Sequence, residues 1–494
     1  MKRLKFFPSI DEFKKRSAAF NVIPVFAEIM ADTDTPVSAF MKMDTGGDAF
    51  LLESVEGGEK WGRYSFLGVS AKATIRSKGK TIEITEGSKK TATEGNPLDA
   101  LRAYFKKFRA DETSSIPRFF GGAVGFMGYD MVRHMERLPD STVDDLKVDD
   151  MYLMITDGFL VFDNVEQKIR VVVNAFVDDY ADASAAYDSA TKRVEELVVK
   201  LRGATLKAGA AGTGGSAEFS SNVKKADFLK SVEKVKEYIF AGDIIQTVIS
   251  QRFSTPLGSS PFDVYRALRV TNPSPYMFFL RLGDVTLAGS SPEILVRVED
   301  GVIDVRPIAG TRKRGKDEAE DTSLEKELLA DPKERAEHIM LVDLGRNDVG
   351  RVSKTGSVKV DEFMVIERYS HVMHIVSNVK GRMRDGVDSF DVLSACFPAG
   401  TLTGAPKIRA MEIIEEVETT KRGVYGGCVG YMGFSGNVDL CIAIRTVLMK
   451  DNVAYVQAGA GIVADSVPEK EFEETENKAR GVLKAVTMAK EGFV

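Results

Sequence analysis

Residues 276–308 read YMFFLRLGDVTLAGSSPEILVRVEDGVIDVRPI. Two β-prone runs, 276–282 and 285–290, flank Gly283-Asp284, and two more, 294–298 and 302–308, flank Glu299-Asp300-Gly301. Glycine in so short a connection supplies the positive φ that a tight hairpin demands. The stretch therefore predicts two consecutive hairpins, and hairpins build antiparallel sheet. Upstream, DIIQTVISQRF (243–253) predicts another strand; downstream, VGYMGFSG (429–436), VDLCIAIRTVLMK (438–450) and VAYVQAGAG (453–461) predict three more.

Helices fall in blocks between these strands. Phe228, Leu229, Val232, Val235, Tyr238 and Ile239 share one helical stripe over 224–241, closed by Gly242. Asp331 as N-cap and Pro332 at the first position start a helix over 332–346. Others follow at 406–421 behind Pro406 and from about 468. Toward the N-terminus, KATIRSK (72–78), TIEITEG (81–87) and KIRVVVNAFVD (168–178) read as strands before an amphipathic helix at roughly 180–202. Residues 203–217, GATLKAGAAGTGGSA, have no helical stripe and almost no charge, the composition of a linker. The chain thus divides into 1–202, the linker 203–217, and 218–494. Hairpins and helix blocks favour α+β over a doubly wound parallel sheet.

The chain has 494 residues, 44% of them hydrophobic, enough for a sizeable core. Its net charge of −6 argues against general nucleic-acid or anionic-membrane binding. Three cysteines without a CxxC pair argue against a disulfide framework or thiolate zinc and fit a reducing cytoplasm. The start, MKRLKFFPSIDEFKK, lacks the apolar region of a secretory signal, and no apolar run has the length of a membrane span.

Three glycine or basic patterns invite wrong readings. Gly310, Gly315 and Lys316 mimic a phosphate loop, but Asp317 stands where a Ser or Thr should hold magnesium. Gly459-Ala460-Gly461 mimics a dinucleotide fingerprint, but too little chain follows for the βαβ unit. Arg312-Lys313-Arg314 reads as a solvated loop in an acidic chain.

Two Glu-x-x-Glu pairs carry more. Glu334 and Glu337 lie on one helix face, as do Glu471 and Glu474. An arbitrary pair of this kind usually sits on a solvated face. Here Glu337 continues a stripe with Leu341 and Leu344, and the second pair one with Val482 and Ala485. Inward carboxylates need a cation, and with His and Cys scarce an oxygen-ligated hard ion, magnesium before zinc, is the natural one.

The C-terminal half resembles the chorismate-utilising enzymes. The resemblance rests on GDIIQTVISQRF (242–253), GSSPEILVR (289–297), RPIAGTRKRG (306–315), ERAEHIMLVDLGRNDVGRV (334–352), ERYSHVMHIVS (367–377), FPAGTLTGAPK (397–407), YGGCVGYMGF (425–434), AIRT (443–446), QAGAGIVADSVPEKE (457–471) and ETENKA (474–479). LLES (51–54) and GRYSF (62–66) extend it N-terminally. In detail the motifs are most similar to the anthranilate synthase component I family. The resemblance implies a large antiparallel β-sandwich flanked by helices and a magnesium-dependent reaction of chorismate with ammonia. Related aminodeoxychorismate synthases carry Lys at the position of Ala309, and isochorismate synthases Lys at that of Gln246; this chain has neither.

The same resemblance implies the roles. Glu293 protonates the leaving ring hydroxyl. Glu337 and Glu474 hold Mg2+ directly, with Glu334 and Glu471 in support and Lys478 balancing the charge. Arg445 and Tyr425 take the second carboxylate, and Thr401 adds a hydroxyl. Gly310 and Thr311, and Gly459, Ala460 and Gly461, bring backbone N–H groups to the substrate. His374 serves the elimination step, whereas His371 matches no family position and reads as surface. Glu53, Ser54, Pro275, Tyr276 and Met277 resemble a regulatory tryptophan site, Glu53 and Ser54 at its polar end and the other three forming an indole slot. Residues 1–202 would then be regulatory and partner-contacting, and residues 218–494 catalytic. The implied partner is a glutamine amidotransferase, two copies of each subunit forming a heterotetramer. Rival readings are an aminodeoxychorismate or isochorismate synthase, and a non-catalytic tryptophan sensor that holds an amidotransferase.

Overall fold

The structure is a computed structural model that describes residues 4–54, 62–112, 118–204, 218–369 and 372–493. Most of the expected linker (205–217) and His371 lie outside the described residues.

Two large antiparallel sheets pack face to face, one of 13 strands and one of 12 among the described residues. Between them lies an aromatic-rich layer that includes Phe50, Phe126, Phe159, Phe278 and Tyr431. Helices cover the outer faces. Ala183–Gly203, Pro261–Thr271 and Pro468–Glu491 cover the first sheet; Pro97–Phe105, Pro332–Gly350 and Ser389–Cys396 cover the second. The central strands hide one face against the other sheet and one under helices, which is why so many read as continuous apolar runs, whereas edge strands such as Lys89–Glu94 are exposed.

Both sheets draw strands from both sides of the expected linker. Ala49–Glu53 pairs with Tyr276–Leu282, with Glu53 opposite Met277. Gly122–Met127 pairs with Cys428–Gly433. The chain on either side of 203–217 therefore builds one sandwich.

The two expected hairpins form. Leu282 faces Val285 across a turn with Gly283 at φ +60°, and Glu299 faces Val302 across Asp300 and Gly301, both at positive φ. They do not lie in the same sheet. Val285–Ser291 belongs to the first and Ile294–Glu299 to the second, so the chain crosses between sheets at Pro292-Glu293.

The stretch 438–450, expected as one strand, is likewise two. Val438–Ile442 lies in the second sheet and Thr446–Lys450 in the first, broken where Arg445 adopts φ +51°. The two crossings touch: Ile442 N–H donates to Glu293 O at 3.0 Å and Ser290 N–H to Arg445 O at 3.2 Å.

Other boundaries shift. The helix expected over 332–346 continues to Gly350, and that over 406–421 is Lys407–Val417. Helices at Pro261–Thr271, Glu318–Ala330 and Ser389–Cys396 were not expected. Arg312 and Lys313 end the strand Ile308–Lys313 instead of forming a solvated loop; Arg312 pairs with Glu327, Asp331 and Glu334, and Arg314 with Asp321.

Candidate active site

Where the sheets open beside the helices Pro332–Gly350 and Pro468–Glu491 lies a cavity of about 640 Å³. The first sheet supplies Gln246 and Val248 from Gln246–Pro256, and Gly459 and Gly461 from the partner strand Val453–Ile462. The second supplies Ala309, Gly310 and Thr311, with His374 paired opposite Thr311. The helices bring Glu334 and Glu337, and Glu471, Glu474 and Lys478. The two sheet crossings bring Glu293 and Arg445; Thr401 and Tyr425 complete the wall. Every catalytic, substrate and metal residue named from the sequence lines this one cavity except Ala460.

Ala460 is not part of the cavity lining. Strand alternation turns its methyl to the opposite face from Gly459 and Gly461, into a cluster with Ile249, Ile462 and Phe472. The flanking glycines are required by close approach. A Cβ on Gly459 would sit 2.8 Å from Ile249 O and 2.9 Å from Tyr425 Oη, and one on Gly461 would sit 2.7 Å from Gln246 Nε2.

Glu293 is buried, and desolvation pushes its carboxyl up to about 8. The smaller, opposing effect comes from the buried Thr401 hydroxyl beside it. At neutral pH the group is a protonated acid facing the cavity. His374 Nδ1 lies 3.1 Å from Gly310 O and 3.0 Å from Thr311 Oγ1. A carbonyl only accepts, so Nδ1 carries the proton and Nε2 is the basic nitrogen. Burial above all, and Arg445 in addition, pull this imidazole below its ordinary pKa, so it is neutral. Arg445 makes no ion pair or side-chain hydrogen bond among the described residues. Its planar fork lines the cavity and has the geometry to bind a carboxylate.

The four carboxylates face one another without closing into a cage. Among the described residues no group of three or more His, Cys, Asp or Glu is gathered tightly enough to hold an ion. Glu474 is held by Lys478 at 2.5 Å, and Glu334 by Arg312 at 3.2 Å. Lys478 also donates to Gly459 O at 3.1 Å. Burial above all, and then Glu334, raises Glu337, and burial raises Glu471, while Lys333 and Lys478 pull both the other way. The donor set is all carboxylate oxygen, which fits magnesium and not a soft metal. The Glu474–Lys478 and Glu334–Arg312 pairs each use Oε1 of the carboxylate.

Lys333, Gln457, Pro292 and Ser466 also line the cavity and escaped the sequence reading. Gln457 was within reach of period-two reasoning, lying two residues before Gly459 on the same strand face; Lys333 carried no signal.

A second cavity, of about 270 Å³, lies between the sheets. Glu53, Ser54, Pro275, Tyr276 and Met277 all line it, joined by Arg63, Arg118, Arg297, Tyr431 and Asp439, which were not anticipated. Its polar end differs from expectation. Glu53 already accepts from Tyr265 and from Arg269 (3.2 and 3.3 Å), and the Tyr276 hydroxyl donates to Asp439 at 2.8 Å and accepts from Arg297 at 2.9 Å. Tyr276 is thus part of a polar network, not simply of an apolar slot.

Residues 48–484 match the family described as chorismate binding enzyme. A protein from Acetivibrio thermocellus named anthranilate synthase component 1 is 50% identical, over 98% of this chain and 99% of its own. One of the same name from Aquifex aeolicus is also 50% identical, over 98% of each chain. The crystal structure of anthranilate synthase component I from Streptococcus pneumoniae superposes with a TM-score of 0.78 at 38% identity, covering 92% of this chain and 98% of that one.

Proposed function

The chain belongs to the chorismate-binding enzyme family, on its anthranilate synthase component 1 branch, and from that premise we propose that it is the aminase subunit that turns chorismate and ammonia into anthranilate, pyruvate and water, the first step of tryptophan biosynthesis. The observation that carries the chemistry is Glu293, a buried carboxyl kept protonated to about pH 8 at the cavity wall. Hydroxide leaves poorly, so the ring hydroxyl must take a proton as its C–O bond breaks, while ammonia forms the new C–N bond and the ring double bonds shift. Glu293 gives that proton and the oxygen departs as water. Neutral His374, its Nδ1–H fixed on Gly310 O, then offers Nε2 to the proton on the amine-bearing carbon. Loss of that proton expels the enolpyruvyl group and makes the ring aromatic.

Arg445 and the Tyr425 hydroxyl take one substrate carboxylate; Gly459 and Gly461 let the substrate lie against the strand. Glu337 and Glu474 would hold Mg2+ directly, with Glu334 and Glu471 acting through water. Bound magnesium supplies positive charge against the ring carboxylate. Ala309 and Gln246 both face this cavity, and the absence of lysine at either favours ammonia over the aminodeoxychorismate and isochorismate readings.

The three cysteines are buried, and burial pushes their thiols up, so none is a nucleophile for glutamine hydrolysis. A separate glutamine amidotransferase subunit would supply ammonia, in a cytoplasmic heterotetramer of two aminase and two glutaminase subunits. Tryptophan would fill the second cavity and inhibit, its indole against Pro275 and Met277. The test is to mix the purified chain with chorismate, magnesium chloride and an ammonium salt and follow anthranilate fluorescence. Steady production supports the reading; no product, or isochorismate instead, overturns it.

A further inference from the structure

Behind the cavity, outside its lining, Arg422 is almost fully buried at 3% exposure. Its guanidinium spends its donors on three partners. Nε donates to Glu418 Oε2 at 2.9 Å and Nη2 to Glu418 Oε1 at 2.7 Å. Nη1 donates to Leu402 O and Nη2 also to Val248 O, each at 2.7 Å. Glu418 Oε1 in turn accepts from Ser250 N–H and Ser250 Oγ, both at 2.8 Å, and Ser250 Oγ accepts from Gln457 Nε2 at 2.9 Å. The guanidinium also lies over the ring of Tyr425, 5.7 Å from its centroid, and the Arg422 carbonyl accepts from Tyr425 N–H at 3.2 Å.

Val248, Leu402, Tyr425 and Gln457 come from four separate segments, and all four line the catalytic cavity. Leu402 follows Thr401, whose hydroxyl lies beside Glu293. A buried ion pair is a poor way to gain stability, because desolvation offsets most of the attraction. It is a good way to fix several backbones in one relation, since the planar fork holds a carboxylate and two carbonyls at set angles.

We propose that the Arg422–Glu418 pair is a positioning clamp for the reaction, holding the Gln246–Pro256 strand, the Thr401-Leu402 turn, Tyr425 and Gln457 in one catalytic arrangement. The inference rests on reading the cavity as the chorismate site. Neither residue touches substrate; both act through the wall.

The discriminating variant is Arg422→Lys. It keeps the positive charge beside Glu418 but has one nitrogen and cannot serve Leu402 O, Val248 O and both carboxylate oxygens together. The ammonium-dependent reaction of wild type, Arg422→Lys and Glu418→Gln is measured across pH at fixed free ammonia, with near-UV circular dichroism and the thermal midpoint recorded on the same samples. The expected result for Arg422→Lys is a folded protein whose kcat falls about tenfold or more, as small misplacements of reacting groups do. The alkaline limb of its pH profile should also move to lower pH, because water admitted beside Thr401 lets Glu293 ionise earlier. Should Glu418→Gln fail to fold, Arg422→Lys decides alone. Unchanged kcat in folded Arg422→Lys, or a loss equal to its unfolded fraction with the pH limb unmoved, overturns the clamp. Failure of the wild type to form anthranilate refutes the reading of the cavity instead.

Discussion

Glu293→Gln separates two consequences of one buried carboxyl. The ordinary value is 4.5 and burial raises it to about 8. A carboxyl raised on folding weakens the native state as pH climbs through that gap, because the unfolded chain ionises first. At about 1.4 kcal/mol per unit the cost is on the order of 3 kcal/mol at pH 7, grows to roughly 5 kcal/mol above pH 8, and vanishes below pH 4.5. Glutamine has nearly the same shape and cannot ionise. Glu293→Gln should therefore match the wild type near pH 4.5 and gain on it steadily up to about pH 8. The same variant has lost the acid, so its kcat should fall about 10²- to 10⁴-fold. Urea unfolding of both proteins at pH 5, 7 and 9, with anthranilate assays on the same preparations, reads both effects. A stability difference that does not change with pH would show that Glu293 is not held protonated, and full activity would show that it is not the acid.

Glu337→Gln and Glu474→Gln should each abolish magnesium-dependent anthranilate formation while leaving the circular dichroism unchanged; full activity in either, or of the wild type in excess EDTA, removes the metal assignment. His374→Met should slow pyruvate loss more than amination, so that aminodeoxyisochorismate accumulates and is seen by chromatography; equal slowing of both steps without intermediate contradicts the assigned role. Ser54→Phe should fill some of the second cavity and raise the tryptophan concentration for half-inhibition at least tenfold at unchanged uninhibited turnover, a coupling loss of about 1.4 kcal/mol or more. Titration of both proteins at fixed chorismate reads this, and equal sensitivity places tryptophan elsewhere.

The local signals were legible because local chemistry sets them. Gly283 and Gly301 fix their hairpins wherever those hairpins end up, and the stripe of Phe228, Val232 and Val235 buries one helix face as spacing requires. The joints were not legible. The run 438–450 has strand propensity throughout, and nothing in it announces that Arg445 turns to positive φ and carries the chain into the other sheet. The first hairpin pair hid the same event at Pro292-Glu293. Glu293 and Arg445 sit at these crossings, where the sandwich opens onto the cavity and propensity is overruled. The helix Glu318–Ala330 escaped because only Asp321 and Leu328 are buried along it, too few for a stripe. Ala460 lies between two glycines that line the cavity, and period-two alternation turns its methyl to the other face. The cavity's residue types were readable from motifs, as was Lys478 one turn after Glu474; that Arg312, read as part of a solvated loop, holds Glu334 was not.

Whether this chain alone joins ammonia to chorismate and completes the loss of pyruvate is decided most directly by mass analysis of its products. The isolated chain is given chorismate, magnesium and ¹⁵N-ammonium, with ¹⁵N-amide glutamine replacing ammonium in a parallel reaction. The expected products are ¹⁵N-anthranilate and pyruvate in equal amounts from ammonium, and none from glutamine. Isochorismate, a 4-amino product, or labelled anthranilate from glutamine would contradict the assignment.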